Sequence, residues 1–305
     1  MDHVKGIVNI KGSCYINTVL QLLFHDERFV DCLETVNGGN EKLFNKLKSL
    51  YKDRSVENTR AFIAECCAQL GEYMDFRMQN DIQEFMILLL DHLNKELRIL
   101  GMGGQVSKGK VSFMEYLQNE WVKHHPDGIS EIADCFHGQT ITQIKCPTCK
   151  EIFHNAEVFT TLALDLEVES SLENLIDNYF EGDMIEDWKC DKCKACHAQV
   201  KRTIALTRTP ETLIITLKRF RSGVKNRNRV TIAPDLKLDV FKNRVRRYKL
   251  ASVGCHVGCH ASGHYFANLR TGEDKWIMVD DESVFTGGCN DMESSAYLLM
   301  YTAEL

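Results

Sequence analysis

Residues 6–21, GIVNIKGSCYINTVLQ, place Cys14 directly before a mostly apolar run. That run, Tyr15 to Phe24, predicts a helix that begins at the cysteine. The amino end of a helix carries partial positive charge and unpaired N–H groups, which stabilise a thiolate and a developing oxyanion. Cys14 is therefore the candidate nucleophile, and Asn9 can add a side-chain amide to the oxyanion hole. The competing interpretation is an inert core thiol, which we expect for most other cysteines of the chain.

A histidine far downstream has the setting of a general base. His264 lies in SGHYFANL at 262–269, after a glycine and before an alternating strand pattern. It would take the proton of the thiol and later return it to the leaving amine. Asp280 follows WIMV at 276–279 and can hold the imidazole in place, with Asp281 as an alternative or accessory carboxylate. Taken alone, an Asp-Asp pair is more often a solvated turn.

Two CxxC pairs predict a metal site. Their cysteines are Cys146 and Cys149 in CPTC, and Cys190 and Cys193 in CDKC. Each pair closes a tight knuckle, and two knuckles on neighbouring hairpins form a closed tetrahedral site for a structural Zn²⁺ ion. Cys196 and His197 are second-choice ligands, because the second pair repeats the spacing of the first. The competing interpretations are unrelated thiols and a redox pair, but no thioredoxin-like βαβ pattern surrounds either motif.

Composition favours a folded intracellular protein. Hydrophobic residues make up 44% of the 305 residues, and the net charge of −6 argues against a nucleic-acid partner. Thirteen cysteines, the absence of an Asn-x-Ser/Thr sequon and the lack of an apolar core in MDHVKGIVNIKG disfavour a secreted disulfide protein. The longest apolar run, FMILLL at 85–90, is too short to span a bilayer. We expect reduced thiols and a cytoplasmic or nuclear location.

The pattern changes from helical to β-rich at about residues 125–131. Residues 81–97 carry apolar side chains at helical spacing, and Asn58 or Thr59 is expected to cap a helix through ECCAQL. The glycine-rich segment 101–110 predicts a linker, and 171–180 predicts a helix capped by Ser170 or Ser171. Helices first and strands afterwards, without βαβ alternation, predict an α+β protein with a mostly antiparallel sheet.

Taken in order, these segments resemble the ubiquitin-specific proteases, papain-like cysteine peptidases that remove ubiquitin. Residues 6–21 are similar to the family's cysteine box, QNDIQEF at 79–85 to its glutamine-aspartate box, and PETLIITLKRF at 210–220 to its palm strand and Lys-Arg-Phe signature. The segments YKLASVGCHVG, SGHYFANLR, KWIMVDDESV and AYLLMY resemble its histidine box. The resemblance covers nearly the whole chain.

The resemblance implies one catalytic domain over 1–305, shaped like a right hand. The helical thumb would cover about 1–125, and an antiparallel β palm and zinc-tipped β fingers would cover about 126–305. The implied activity is thiol-dependent deubiquitination, which is hydrolysis of the peptide or isopeptide bond after the C-terminal Gly of ubiquitin. The implied roles are Cys14 as nucleophile, His264 as general base, Asp280 as its orienting carboxylate and Asn9 in the oxyanion hole.

The resemblance also implies how substrate is held. Asp81 and Glu84 would meet the basic tail of ubiquitin, and Tyr265 would flank that tail. The alternative interpretations are structural. Asp81 and Glu84 would form a solvent-exposed acidic face of a helix, and Tyr265 would be an ordinary aromatic residue of a strand. The family's blocking loops would match the region after Phe220 and the loop 258–263. Ubiquitin and ubiquitinated proteins are the implied partners, and a separate activating protein stays open.

Two features depart from the family or lie outside its motifs. The family usually has glycine where this chain has Lys11, which either stabilises the thiolate, narrows substrate acceptance or is simply exposed. Residues 218–249 hold twelve Lys/Arg against two Asp, and KNRVRRYK within them is a nuclear-import signal, a basic contact patch or a set of solvated loops.

Other classes of function remain as alternatives. A catalytically weak or silent ubiquitin-binding scaffold would keep the metal site and the palm but lose the nucleophile or the base, and neither is lost here. A protease for a ubiquitin-like modifier would carry the same catalytic residues. A plain zinc-binding adaptor would leave the histidine box unexplained.

Overall fold

Most of the helices precede the strands along the chain. The computed structural model describes residues 4–36, 39–40, 42–98, 106, 111–126, 128–259 and 262–304. Its helices are α1 Cys14–His25, α2 Glu27–Thr35, α3 Lys42–Lys52, α4 Val56–Leu70, α5 Ile82–Leu97, α6 Phe113–His124, α7 Glu131–Phe136, α8 Leu172–Glu181 and α9 Met292–Ser295. The predicted linker at 101–110 lies outside the described residues apart from Val106.

The strands occupy the β-rich part of the sequence. They are β1 Gly138–Lys145, β2 Ile152–Phe159, β3 Thr161–Asp165, β4 Ser170–Ser171, β5 Asp183–Lys189, β6 Cys196–Arg208, β7 Thr212–Lys218, β8 Phe220–Arg221, β9 Val224–Lys225, β10 Val230–Thr231, β11 Asp235–Val240, β12 Arg244–Gly258, β13 Gly263–Arg270, β14 Trp276–Asp280, β15 Ser283–Thr286 and β16 Ala296–Ala303. This order of elements agrees with the α+β class expected from the sequence.

Local capping decides where the helices begin. Asp81 caps α5, and its Oδ1 accepts a hydrogen bond from the N–H of Gln83 at 2.7 Å. Ser171, one of the two predicted candidates, caps α8, whereas Ser170 lies in β4. The predicted cap of α4 was wrong, because Ser55 offers its hydroxyl oxygen to the N–H of Asn58 at 3.3 Å and the helix starts one turn earlier than expected.

Helix α1 is buried on every side. Each residue from Cys14 to Phe24 is inaccessible or nearly so, and the helix packs against β13 and α5. A surface helix would bury only one stripe, so a helix that is buried all round belongs to the core. The nucleophile predicted at its first residue is therefore held by core packing rather than by a surface loop.

A twelve-stranded sheet carries the second half of the site. The main path of paired strands is β15-β14-β13-β12-β11-β6-β1-β2 among the described residues, and β16 pairs with both β12 and β7. Neighbours run antiparallel except for β3 beside β7 and a single contact of β11 with β6. Strand β13, which starts at Gly263, lies between β12 and β14 and faces α1. The sheet thus brings the predicted histidine strand under the start of α1.

Two antiparallel ladders form an extension of this sheet. Strand β1 pairs with β2 from Gly138↔Phe159 to Lys145↔Ile152, and β5 pairs with β6 from Asp183↔Arg202 to Lys189↔Cys196. The turns that join these strands carry the CxxC motifs. The assignment of all these elements to one domain over 1–305, with a helical thumb that ends near residue 125, stays a prediction. Within the described residues, no helix has the length and apolarity needed to cross a membrane.

Substitution of Phe85 on α5 tests the packing that holds α1. Its ring is fully buried and makes an edge contact with Tyr15, with the ring centroids 5.6 Å apart. We expect Phe85→Ala to lower the free energy of unfolding by about 3–5 kcal/mol, because it removes buried surface and leaves a cavity. Urea denaturation followed by circular dichroism measures this change. Tyr73→Ala, at a side chain that is 64% exposed, is the matched control and should stay within about 0.5 kcal/mol of wild type.

Candidate active site

Three residues from separate parts of the chain meet at the start of α1. Cys14 is the first residue of α1, His264 is the second residue of β13, and Asp280 is the last residue of β14. The Nε2 atom of His264 lies 2.5 Å from Oδ1 of Asp280. This bond leaves Nδ1 as the ring nitrogen for the thiol of Cys14. The structure thus brings together the predicted nucleophile, base and orienting carboxylate.

The environment of His264 favours its protonated form. Hydrogen bonding with the Cys14 side chain, and then the hydrogen bond and charge of Asp280, raises the pKa of His264 to about 9 against the opposing effect of burial. The side chains of His264 and Asp280 are 36% and 39% exposed, so the pair is accessible from solvent. A histidine in this state is suited to a thiolate–imidazolium pair, the reactive form of a cysteine nucleophile.

Asn9 organises the loop that leads into α1. Its Oδ1 accepts hydrogen bonds from the N–H groups of Gly12 at 3.0 Å and Ser13 at 3.1 Å. Its Nδ2 donates to Oδ2 of Asp281 at 2.7 Å. An amide nitrogen carries two N–H donors, so one remains for an oxyanion beside Cys14. The role predicted for Asn9 in the oxyanion hole agrees with this orientation and stays a prediction.

The carboxylate of Asp281 accepts hydrogen bonds from two side-chain amides and none from His264. Its Oδ2 accepts from Asn9, and its Oδ1 accepts from Nδ2 of Asn17 at 2.7 Å. Asn17 is 2% exposed and also donates to the carbonyl of Ile7 at 3.1 Å. Asp281 thus holds the side chain of Asn9 in place, and its predicted part as an accessory carboxylate stays a prediction. Sequence reasoning missed Asn17, although its position one turn after Cys14 on a buried helix was a usable signal.

Lys11 takes a backbone conformation that ordinarily favours glycine. Its φ angle is +52°, and that of the adjacent Gly12 is +84°. A left-handed conformation costs a residue with a Cβ about 1–2 kcal/mol. The glycine expected from the family resemblance would avoid that cost. The Lys11 side chain is exposed at the rim of the site, so its strain is local to the loop between Asn9 and Cys14.

A small cleft lies between the start of α5 and the palm strands. Its volume is about 220 Å³. The residues that line it are Gln79, Asn80, Asp81, Phe220, His256, Gly263 and Tyr265. Two of them flank His264 in the sequence, so the cleft leads to the predicted base. A Cβ on Gly263 would lie 2.0 Å from Nε2 of His256, so a residue without a side chain is required there.

The predicted substrate-binding residues differ in their surroundings. The carboxylate of Asp81 caps α5 and accepts a short hydrogen bond from the hydroxyl of Tyr297. Glu84 is exposed one turn further along the same helix. Tyr265 lines the cleft and packs against His256 with the ring centroids 4.6 Å apart, and burial raises the pKa of its hydroxyl. Their contact with substrate stays a prediction.

Arg219 is a buried charge whose role the sequence did not reveal. Its side chain is fully buried and donates to backbone carbonyls, to Ala296 at 2.5 Å, Asn228 at 2.8 Å and Glu293 at 2.8 Å. Burial lowers its pKa to about 10, which still leaves it charged at neutral pH. Arg219 therefore fixes the segment after Phe220, where a blocking loop was expected, against the α9–β16 region.

The four predicted cysteines converge at the tip of the sheet extension. The sulfur atoms of Cys146, Cys149, Cys190 and Cys193 all lie within 4.8 Å of one another and form a cluster that could hold a metal ion. The two turns that carry the CxxC motifs have the same backbone hydrogen bond and the same left-handed residue. The N–H of Lys150 donates to the carbonyl of Cys146 at 3.0 Å, and the N–H of Lys194 donates to that of Cys190 at 2.9 Å. The φ angles of the two lysines are +61° and +60°.

The second-choice ligands take other positions. Cys196 is exposed at the start of β6 and does not belong to the cluster. His197 places Nε2 at 3.6 Å from the sulfur of Cys146, and its ring stacks on Trp188 with the centroids 5.9 Å apart. The preference for the mirrored CxxC pairs agrees with this geometry, and His197 lies beside the cluster as a neighbour of one sulfur.

The chain belongs to the ubiquitin carboxyl-terminal hydrolase family, whose model matches residues 5–301. Ubiquitin carboxyl-terminal hydrolase 4 of Saccharomyces cerevisiae strain YJM789 is 25% identical over 99% of this chain and 39% of its own length. The probable ubiquitin carboxyl-terminal hydrolase 4 of Schizosaccharomyces pombe is 25% identical over 97% of this chain and 58% of its own length. The chain thus spans only part of the length of these relatives. The match to the family model confirms the predicted family.

Solved structures share the fold. The Ubp8 chain of a SAGA DUB module with Sgf11, Sus1 and Sgf73, bound to monoubiquitin, superposes with a TM-score of 0.79. It is 17% identical and covers 100% of this chain and 70% of the neighbour. The same module bound to ubiquitin aldehyde gives a TM-score of 0.78 at 17% identity. The predicted α+β fold, that of a papain-like ubiquitin-specific protease, is confirmed.

Lys11 allows the backbone strain of the catalytic loop to be tested. We expect Lys11→Gly to raise the free energy of unfolding by about 1 kcal/mol, because glycine adopts a positive φ angle without steric cost. Lys11→Ala removes the same charge but keeps the Cβ, and it should give no such gain. Urea denaturation of both variants measures the difference. Equal stability of the two variants would contradict the strain at this position.

Proposed function

We propose that this chain is a thiol-dependent deubiquitinase that hydrolyses the bond after the C-terminal Gly of ubiquitin. The observation that carries the proposal is the 2.5 Å bond between His264 and Asp280, together with the raised pKa of His264, to which the side chain of Cys14 contributes most. Membership of the ubiquitin carboxyl-terminal hydrolase family supports this substrate class. A silent scaffold is disfavoured because the sequence retains the proposed nucleophile, base and orienting carboxylate.

In the proposed mechanism, Cys14 attacks the carbonyl carbon of the terminal glycine as a thiolate. The positive end of α1 and the imidazolium of His264 stabilise that thiolate. The oxyanion accepts hydrogen bonds from the free N–H of Asn9 and from the N–H groups of the first turn of α1. His264 gives its proton to the leaving amine. It then takes a proton from water, which hydrolyses the thioester.

The narrow cleft beside His264 suits a glycine tail. Its volume of about 220 Å³ is small, and the aromatic residues Phe220 and Tyr265 line it. An extended Gly-Gly segment has no side chains, so it could pass where a larger residue would collide. Glu84, which is exposed on α5, and the carboxylate of Asp81 would attract the basic residues that precede those glycines.

We propose that the four-cysteine cluster binds a structural Zn²⁺ ion. Tetrahedral thiolates at about 2.3 Å from zinc lie about 3.8 Å apart. The sulfurs of Cys146 and Cys193 are 3.7 Å apart, and those of Cys149 and Cys190 are also 3.7 Å apart. When bound, the ion would tie the β1–β2 turn to the β5–β6 turn. Four protein ligands leave no open position, so the ion would have no part in catalysis.

The proposal extends to a partner protein and to the location of this chain in the cell. Ubp8 is found with Sgf11, Sus1 and Sgf73 in the solved neighbours, so an activating partner protein is proposed for this chain as well. A cytoplasmic or nuclear location is proposed from the reduced cysteines and the basic segment 242–249. Lys242, Arg244, Arg247 and Lys249 are exposed in that segment, as an import signal requires.

Hydrolysis of a fluorogenic amide at the ubiquitin C-terminus tests the function. We expect turnover by the wild type and a fall to background for Cys14→Ala, because no other group can form the thioester. Cys67→Ala, at an exposed thiol, is the matched control and should keep the wild-type rate. Parallel amides of ubiquitin-like modifiers identify the preferred modifier. Undiminished turnover by Cys14→Ala would refute the mechanism, and binding of ubiquitin without turnover by the wild type would favour the scaffold.

The pH dependence of kcat/KM reports the state of His264. The active form carries the proton on the imidazole, and the pKa of His264 is raised to about 9, so activity should fall as the pH rises through about 9. Asp280→Asn removes a contact that raises this pKa. We expect it to move the alkaline limb to lower pH and to lower kcat/KM by on the order of 10²-fold.

The control for this profile is Asp274→Asn, which removes an exposed carboxylate from the turn before β14. Its alkaline limb should coincide with that of the wild type. An unchanged limb in Asp280→Asn would contradict the assignment of Asp280 as the partner of His264.

A further inference from the structure

Three histidines outside the catalytic site meet where α6 ends and β1 begins. His124 is the last residue of α6, His125 follows it, and His137 directly precedes β1. One ring nitrogen from each residue lies within 4.8 Å of the corresponding nitrogens of the other two. His125 is 3% exposed and His137 is 4% exposed, whereas His124 faces solvent. The cluster therefore has a buried pair and one accessible member.

Hydrogen bonds fix which nitrogen of His125 carries a lone pair. Its Nδ1 lies 2.9 Å from the carbonyl oxygen of Trp121, which can only accept, so Nδ1 holds the proton. Its Nε2 is therefore the lone-pair nitrogen, and it lies 2.9 Å from Nδ1 of His137. Histidines that bind metals are usually oriented in this way, with one N–H on a backbone carbonyl and the other nitrogen turned to the ion.

The spacing of the buried pair matches adjacent ligands on one ion. Two nitrogens at about 2.1 Å from a metal lie about 3.0–3.4 Å apart in octahedral or tetrahedral geometry. The observed separation of 2.9 Å is close to that range. These two nitrogens face each other in a hydrogen bond. An ion would replace the shared proton, so His137 would carry its proton on Nε2 instead of Nδ1 and the rings would turn until both lone pairs face the ion. The side chain of His124 is exposed and has room to rotate towards the pair.

We propose that His124, His125 and His137 form a second metal site, one for a transition-metal ion of the Zn²⁺, Co²⁺ and Ni²⁺ class. Imidazole nitrogens suit these ions, whereas Mg²⁺ and Ca²⁺ prefer oxygen ligands. Water would complete the coordination on the exposed side, since only one of the three histidines is open to solvent. The bound ion would join the end of α6 to the start of β1.

This site is well separated from the four-cysteine cluster. Strand β1 runs from Gly138 to Lys145, with His137 before it and Cys146 after it. Eight strand residues at about 3.4 Å each span about 27 Å, so the two groups lie at opposite ends of the same strand. Ions at the two sites would not share a ligand. The proposed histidine site can therefore be measured while the cysteines stay loaded with zinc.

Cobalt binding to the 305-residue chain, purified with Zn²⁺ and without a histidine tag, tests the proposal. We expect the wild type to take up one equivalent of Co²⁺ whose spectrum lacks sulfur-to-cobalt charge-transfer bands, because the ligands are imidazoles. His124→Gln should weaken this binding by at least about 10-fold, because even the loss of a residue that only orients a metal ligand has an effect of that size. His154→Gln, at an exposed histidine on β2, is the matched control and should bind as the wild type does. Mg²⁺ should not compete.

Each possible result either supports or overturns the proposed histidine site. Uptake of Co²⁺ that depends on His124, together with a cobalt-dependent rise in the unfolding temperature of the wild type but not of His124→Gln, supports the site. No uptake by the wild type, equal uptake by His124→Gln, or charge-transfer bands from cysteine sulfur as the only signal would each overturn it. His137→Gln should abolish binding. If that buried variant does not fold, the exposed His124 decides the question.

Discussion

The carboxylate of Asp281 joins the beginning and the end of the chain at the active site. It accepts 2.7 Å hydrogen bonds from the amides of Asn9 and Asn17, and the N–H of Ile7 donates to its backbone carbonyl at 2.9 Å. Hydrogen bonds to a charged group contribute about 1.5–3 kcal/mol each when they are partly shielded from water. The position of the catalytic loop relative to β13 and β14 depends on these contacts.

Two adjacent carboxylates can serve two sides of the site because the chain turns between them. Asp280 ends strand β14 and points to His264, while Asp281 has a φ angle of +50° and points to Asn9 and Asn17. Asp281 lies outside β14, and its positive φ angle, rather than the alternation of a strand, sets the direction of its side chain. One carboxylate thus bonds to His264, the proposed base, and its neighbour bonds to Asn9, the proposed oxyanion donor. The two roles are coupled through a single peptide unit.

Buried polar groups hold the surrounding framework in a single arrangement. Asn17 and Arg219 both satisfy backbone carbonyls from segments that have no regular ladder of their own. Such groups are costly to bury unless they are hydrogen-bonded, so each one strongly favours the arrangement that supplies its partners. Helix α1 adds apolar packing on all sides, and its first residue is therefore placed within the rigid core.

Several features could be read directly from local patterns. The apolar run after Cys14, the helical spacing before Leu97, the cap at Ser171 and the two CxxC spacings all predict structure from neighbours within a few residues. Such patterns act over one helical turn or one hairpin, and these predictions agree with the structure. The cap of α4 was wrong because several polar residues compete there, and Ser55 wins by starting the helix earlier.

The sequence by itself determined the residue types of the site, the helix that carries the proposed nucleophile and the spacing of the four clustered thiols, because these follow from short-range periodicity and chemistry. Only the tertiary structure decided that Asp280, and not Asp281, bonds to His264, that Asn17 supports the oxyanion loop and that Lys11 is strained. The bonds of Asp281 join residues more than 260 positions apart, His264 and Asp280 are 16 positions apart on separate strands, and the conformation of Lys11 is a backbone angle of the folded loop. No local pattern encodes the register in which such distant segments meet.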